Sequence, residues 1–151
     1  MKLLSKPMLL VLLCLSTAAV YSQQTVDARQ KLFATLPATM KVNDASLKSA
    51  FTFFPGQKVS ISLSNNFVFT GEVISNEVKY SNLQNIIIRS ATLNNALLSL
   101  SKIINADKTI SYTGRIISNN AFDGYEIKRS IAGEYNMQKF ETGKIFQDCS
   151  Y

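Results

Sequence analysis

Phe69-Thr70-Gly71-Glu72-Val73-Ile74-Ser75-Asn76 returns further along the chain as Tyr112-Thr113-Gly114-Arg115-Ile116-Ile117-Ser118-Asn119. Five of the eight positions are identical, and the rest exchange aromatic for aromatic, Glu for Arg and Val for Ile. A repeat of this kind sets the architecture before any single residue is interpreted. Apolar residues fall at every second position in both copies, which is the period of a strand with one buried face. The stretch therefore predicts a β-unit of about three strands used twice.

Working outward, the same period holds on both sides. Val59, Ile61 and Leu63 alternate with Ser60, Ser62 and Ser64, an antiparallel strand with one dry face. Asn65-Asn66 is a two-residue turn signal, because Asn tolerates positive φ. Phe67, Phe69, Gly71 and Val73 then share one face, with Val68, Thr70, Glu72 and Ile74 on the other. Residues 76–84 read as a polar loop, and residues 85–92 as the next strand. Asn94-Asn95 turns the chain into a strand over 96–104, and residues 105–108 turn it again. In the second copy Ile110, Tyr112, Gly114 and Ile116 take the inward face. Asp123-Gly124 ends a loop, Tyr125 and Ile127 mark a strand, and Ala132-Gly133 turns into Tyr135 and Met137. A last segment, 144–147, is expected at an edge.

No gap between strands is long enough for a parallel crossover, so the order should be a meander of hairpins. The predicted class is all-β: a single small meander barrel or sandwich of seven to eight antiparallel strands, built from two three-strand repeats. Repeat one spans 67–104 and repeat two 110–140, within a β-domain over 57–147. Before it, residues 23–56 should carry one or two short helices. One covers 27–33 with Asp27 as its cap, stopped before Pro37. The other covers 43–51, capped at Asn43 or Asp44, with Leu47, Ala50 and Phe51 on one side.

Residues 1–22 read as a secretory signal rather than fold. Lys2 and Lys6 precede an apolar run over 8–15, and Val20 and Ser22 sit at the small-residue cleavage spacing. The run is too short to span a bilayer. Leu13 directly before Cys14 is wrong for a lipid-anchor signal, so soluble export, to periplasm or medium, is the expectation. Loss of Lys2 and Lys6 lowers the formal charge from +6 to +4, a surplus that does not imply nucleic acid. With Cys14 removed, Cys149 stands alone in a 148–151 tail and can make no intrachain disulfide.

The sequence contains no histidine, which removes the usual base of a Ser-His-Asp or Cys-His site and the usual zinc ligand. Asp107, Asp123, Glu126 and Glu134 could form carboxylate pairs, yet all but Glu126 lie in or beside turns, where acids serve turn chemistry. The expectation is a protein that is not an enzyme, with no cofactor and no metal. Gly71 and Gly114 could mark close approach of a ligand. An inward glycine placed identically in two strands fits a bend of the sheet better. The aromatic set Phe67, Phe69, Tyr80, Tyr112, Phe122, Tyr125 and Tyr135 suits core pairs, or the lining of a small-ligand pocket. Lys128, Arg129, Lys139 and Lys144 form a solvated face or meet an anionic partner. Cys149 is either a tail thiol that could join two chains or a thiol offered to a partner's metal.

The run Gly71, Tyr112-Thr113-Gly114-Arg115-Ile116, Asp123-Gly124-Tyr125-Glu126-Ile127, Tyr135 and Cys149 resembles the pro-regions of secreted metallopeptidases from Bacteroidota. More loosely it is similar to the small exported β-barrel inhibitors called potempins. The resemblance implies binding of a secreted protease, with Cys149 as the one metal-directed residue to carry over. No catalytic domain follows in these 151 residues, so such binding would act in trans. The leading expectation is a secreted, non-enzymatic binding protein of the inhibitor type. The alternatives are a barrel carrier of a small apolar ligand and an envelope or adhesion module.

Overall fold

The computed structural model describes residues 30–141, which form one eight-stranded antiparallel sheet curled into a half-barrel, with one short helix. The strands are β1 (Thr39–Lys41), β2 (Lys58–Ser64), β3 (Phe67–Tyr80), β4 (Leu83–Ser90), β5 (Ala96–Ile104), β6 (Ile110–Ile117), β7 (Asp123–Arg129) and β8 (Tyr135–Glu141). Helix α1 covers Asp44–Ala50. β2 to β8 follow one another as a meander, and β1 joins the far side of β8. The barrel-or-sandwich alternative thus resolves to a half-barrel whose edges are β1 and β2.

The alternation expected of the strands is what closes the core. Val59, Ile61, Leu63, Phe67, Phe69 and Val73 are buried, while Val68, Thr70 and Glu72 are exposed. Ile86, Ile88, Leu98, Leu100, Ile116, Tyr125, Ile127 and Met137 complete the inner face. Leu47 and Ala50 of α1 and the side chain of Phe33 fill the concave side. Phe33 meets Phe67 and Tyr125 edge-on, with ring centroids 6.0 and 5.2 Å apart, and Phe51 stacks on Tyr112 at 5.8 Å. The expected cap of α1 is present: Asn43 Oδ1 accepts from the Ala45 N–H at 3.0 Å.

Six expectations need correction. Ile110, expected on the inward face, is exposed, because it opens β6 opposite the equally exposed Ile104 at the end of β5. Residues 76–84 are not a loop, because β3 runs on to Tyr80 and pairs with β4 as far as Tyr80↔Leu83, leaving a two-residue turn. A polar stretch can be strand when neither face is buried, and residues 77–80 are all exposed. Residues 32–35 form a turn rather than helix, within an irregular stretch over 31–36, and Gln30 makes an isolated parallel bridge to Ala121. The carboxylate of Asp123 and the ammonium of Lys139 satisfy this turn from outside, so no helical ladder is required. The two-residue turn at Asn65-Asn66 is present, but positive φ falls at Asn94 (49°) and Asn95 (55°) instead. At the earlier hairpin the register shifts between Ser62 and Ser64. Asp123-Gly124 opens β7 instead of closing a loop. Finally, residues 23–56, expected to carry one or two short helices, also hold β1, which pairs Met40↔Met137 in the sheet. The expected signal, the cap at Asp27, the strand at 144–147 and Cys149 lie outside the described residues.

Candidate functional site

The two edges of the sheet come together beside β1, and a hollow of about 450 Å³ opens there. Pro37 sets its start, since the residue before a proline is pushed into extended backbone and the turn at 31–36 cannot continue as helix. Thr39, Met40, Lys41 and Val42 then alternate exposed, buried, exposed, buried. The Val42 N–H donates to Tyr135 O at 2.8 Å, and the Lys139 N–H donates to Ala38 O at 2.7 Å. In an antiparallel ladder alternate residues bond to one neighbour. Residues 38 and 42 bond to β8, so Thr39 and Lys41 turn their N–H and C=O groups to the open side.

The opposite wall comes from the β2–β3 hairpin: Ser64, Asn65 and Asn66. The edges touch where the Asn43 N–H donates to Leu63 O at 2.8 Å and Ser64 Oγ reaches Met40 Sδ at 3.6 Å. Further along, Ser46 Oγ donates to Ser62 O at 2.7 Å, so α1 covers that part of the β2 edge. A lysine on an edge strand ordinarily discourages pairing with another chain. Here the Lys41 ammonium is held by Glu134 Oε1 at 2.6 Å, and this hydrogen bond raises its pKa above the ordinary lysine value.

The candidate acids are not brought together. Asp107 accepts from Thr109 Oγ1 at 2.6 Å and from the Thr109 N–H at 3.0 Å, and these bonds lower its pKa. Asp123 is buried and accepts the Leu32 and Phe33 N–H groups at 2.6 and 3.0 Å. Burial pushes Glu126 up, but hydrogen bonds from Lys128 and Arg115 outweigh it and leave the carboxyl below its usual range. Glu134 is taken by Lys41. Among the described residues no three Asp, Glu or Cys side chains gather as a metal site, and no helix is long and apolar enough to cross a membrane.

The candidate cations are also occupied. Lys128 pairs with Glu126 at 2.6 Å, and Arg129 Nε donates to Gly133 O at 3.0 Å. Lys139 Nζ donates to Phe33 O and Leu36 O at 2.6 and 2.7 Å, which makes it an internal clamp rather than part of a solvated face. Together Asp123 and Lys139 grip the two ends of the 31–36 turn. The Tyr125 hydroxyl donates to Pro37 O, and burial, with Asp123 nearby, raises its pKa. Lys144 and Cys149 lie outside the described residues.

Gly71 and Gly114 sit where a neighbouring strand crosses closely. A Cβ on Gly71 would lie 2.4 Å from Arg89 O, and one on Gly114 would lie 2.6 Å from Ser99 O. On the outer face a second hollow of about 350 Å³ lies at Gly71, among Lys58, Thr70, Glu72 and Arg89. Of the residues around the seam, the sequence marks Pro37 as a helix stop, Asn43 as a cap, Ser64 as strand and Asn65-Asn66 as a turn, but not β1. Its missed signal is the alternation over residues 39–42, too short to separate from its polar surroundings. No protein-family model, curated protein or solved structure matches this chain.

Proposed function

We propose that the protein is a secreted, non-enzymatic binding protein that takes an extended segment of a partner at the β1 edge, the partner being a secreted metallopeptidase that it inhibits. One observation carries the reading. The free backbone groups of Thr39 and Lys41 face a hollow of about 450 Å³ with room for a further strand. Strand addition of this kind draws affinity from main-chain hydrogen bonds and specificity from alternate side chains. Neutralisation of Lys41 by Glu134 supports it, because the charge that would repel an incoming strand is already matched. The filled concave side, with Phe33, Leu47 and Phe69 almost wholly buried, favours binding at the surface over carriage of a ligand inside. Cys149 has a separable role in this proposal, as a thiolate offered to the partner's zinc.

The test is inhibition of purified secreted metallopeptidases from the same organism. Thr39→Pro removes an outward N–H while sparing the bonds that Ala38 and Val42 make to β8. It should abolish inhibition with little change in melting temperature. Cys149→Ala should weaken inhibition only if the thiol reaches metal. Full inhibition by Thr39→Pro, or none by the unaltered protein, would sink the proposal.

A further inference from the structure

β3 outruns its neighbour. β2 pairs with it only between Phe67 and Glu72, and Gly56 and Gln57 carry the edge as far as Val73. The Asn76 amide then anchors the carbonyls of Phe51 and Phe53 at 3.0 and 2.8 Å. Beyond that point no described strand lies on this side of β3, while β4 pairs with the other. Residues 77–80 are exposed along this edge, with Val78 at 70% and Tyr80 at 69%. Two large apolar side chains on an edge that no described strand covers form a template for another strand.

The charges on the edge select which strand. Glu77 and Lys79 flank Val78 and pair with each other within the chain, which puts them on one side of the strand although the register against β4 shifts between Val78 and Tyr80. If a second copy is laid antiparallel with Val78 at the two-fold centre, each Glu77 faces Lys79 of the other copy. Centring on Glu77 sets two carboxylates opposite one another, and centring on Lys79 sets two ammonium groups opposite. Like charges directly opposite are destabilising, and opposite charges are stabilising. Of these three centrings only the one on Val78 sets opposite charges together, and it is self-complementary, as a two-fold interface requires.

We infer that two copies of this protein join through the β3 edge about Val78 into one continuous sheet. At this edge the joining closes at two, because a two-fold contact uses the β3 edge of both copies. Nothing in it depends on the β1 seam.

Sedimentation equilibrium of the purified protein under reducing conditions, which exclude a Cys149 crosslink, should give a dimer. Glu77→Lys and Lys79→Glu should each weaken association about tenfold, since two favourable pairs become repulsive. Both variants should melt like the parent. An equimolar mixture of the two should regain the dimer, because one copy then carries two cations and the other two carboxylates. A protein that stays monomeric, single variants that dimerise like the parent, or a mixture that fails to recover would each overturn the inference. The mixture also separates pairing between copies from the Glu77–Lys79 pair within one, which neither single variant retains.

Discussion

In β3 the repeated octet runs straight on past Asn76 to Tyr80, whereas in β6 it stops at Ile117 and the chain turns away. The same Ser-Asn pair sits at both junctions. In the first copy the Asn76 amide reaches out to two carbonyls of the turn after α1, and an extra residue at Ile74 shifts the register against β4. In the second, Ser118 is buried, donates its hydroxyl to Asn94 O at 2.8 Å and accepts from the Asn120 N–H at 3.2 Å. The glycines differ as well. Gly71 is crowded by the following strand β4, and Gly114 by the preceding strand β5. Even the exchanged charge is matched locally. Glu72 lies opposite Lys58 and Arg89, while Arg115 lies opposite Glu126. An octet thus specifies a strand with an inward glycine, and its neighbours decide where that strand ends.

The glycines give the largest effect by which to probe this contrast. Gly71→Ala drives a methyl into the Arg89 carbonyl, where only backbone can yield, and should cost about 3 kcal/mol by thermal or denaturant unfolding. Gly114→Ala meets the Leu100 side chain at 2.5 Å as well as Ser99 O. Part of that clash can relax by rotamer change, so its cost should be the smaller of the two. Equal costs would mean that the two crossings are equivalent after all.

Next come the junctions. Asn76→Ala strips the Phe51 and Phe53 carbonyls of a donor and should cost about 1–2 kcal/mol, accompanied by faster hydrogen exchange at residues 77–80. Ser118→Ala should leave that exchange unchanged. The smallest effect is electrostatic. Glu126→Gln should cost about 0.5 kcal/mol at neutral pH, where its ion pairs are partly exposed. The folded-state pKa of Glu126 is depressed, so its contribution is present above the ordinary glutamate value. It is lost as pH falls through that value to the folded one. The variant's acid unfolding limb should therefore be flatter than the parent's.

Much of the fold was legible because it rests on period two. The strand at 59–64, the strand at 96–104 and the cap at Asn43 all follow from local pattern. Residues 76–84 were misread because strand there is held by pairing with β4, with both faces wet. The 31–36 turn was misread because its partners, Asp123 and Lys139, stand about a hundred residues away in sequence. The seam escaped for the same reason. A strand of three residues carries no period of its own, and β1 is strand because β8 lies beside it.

That pairing has a temporal side. The earliest described strand waits for the latest, and Phe33 finds its acceptor Asp123 and its aromatic neighbour Tyr125 only once β7 is laid down. A chain emerging from its N-terminal end can offer Phe33 only Phe67, and Met40 only Ser64, until β7 and β8 arrive, and the β1 backbone waits for β8. Contacts so distant make for slow folding and late closure. The seam is then the last part of the molecule to acquire its shape.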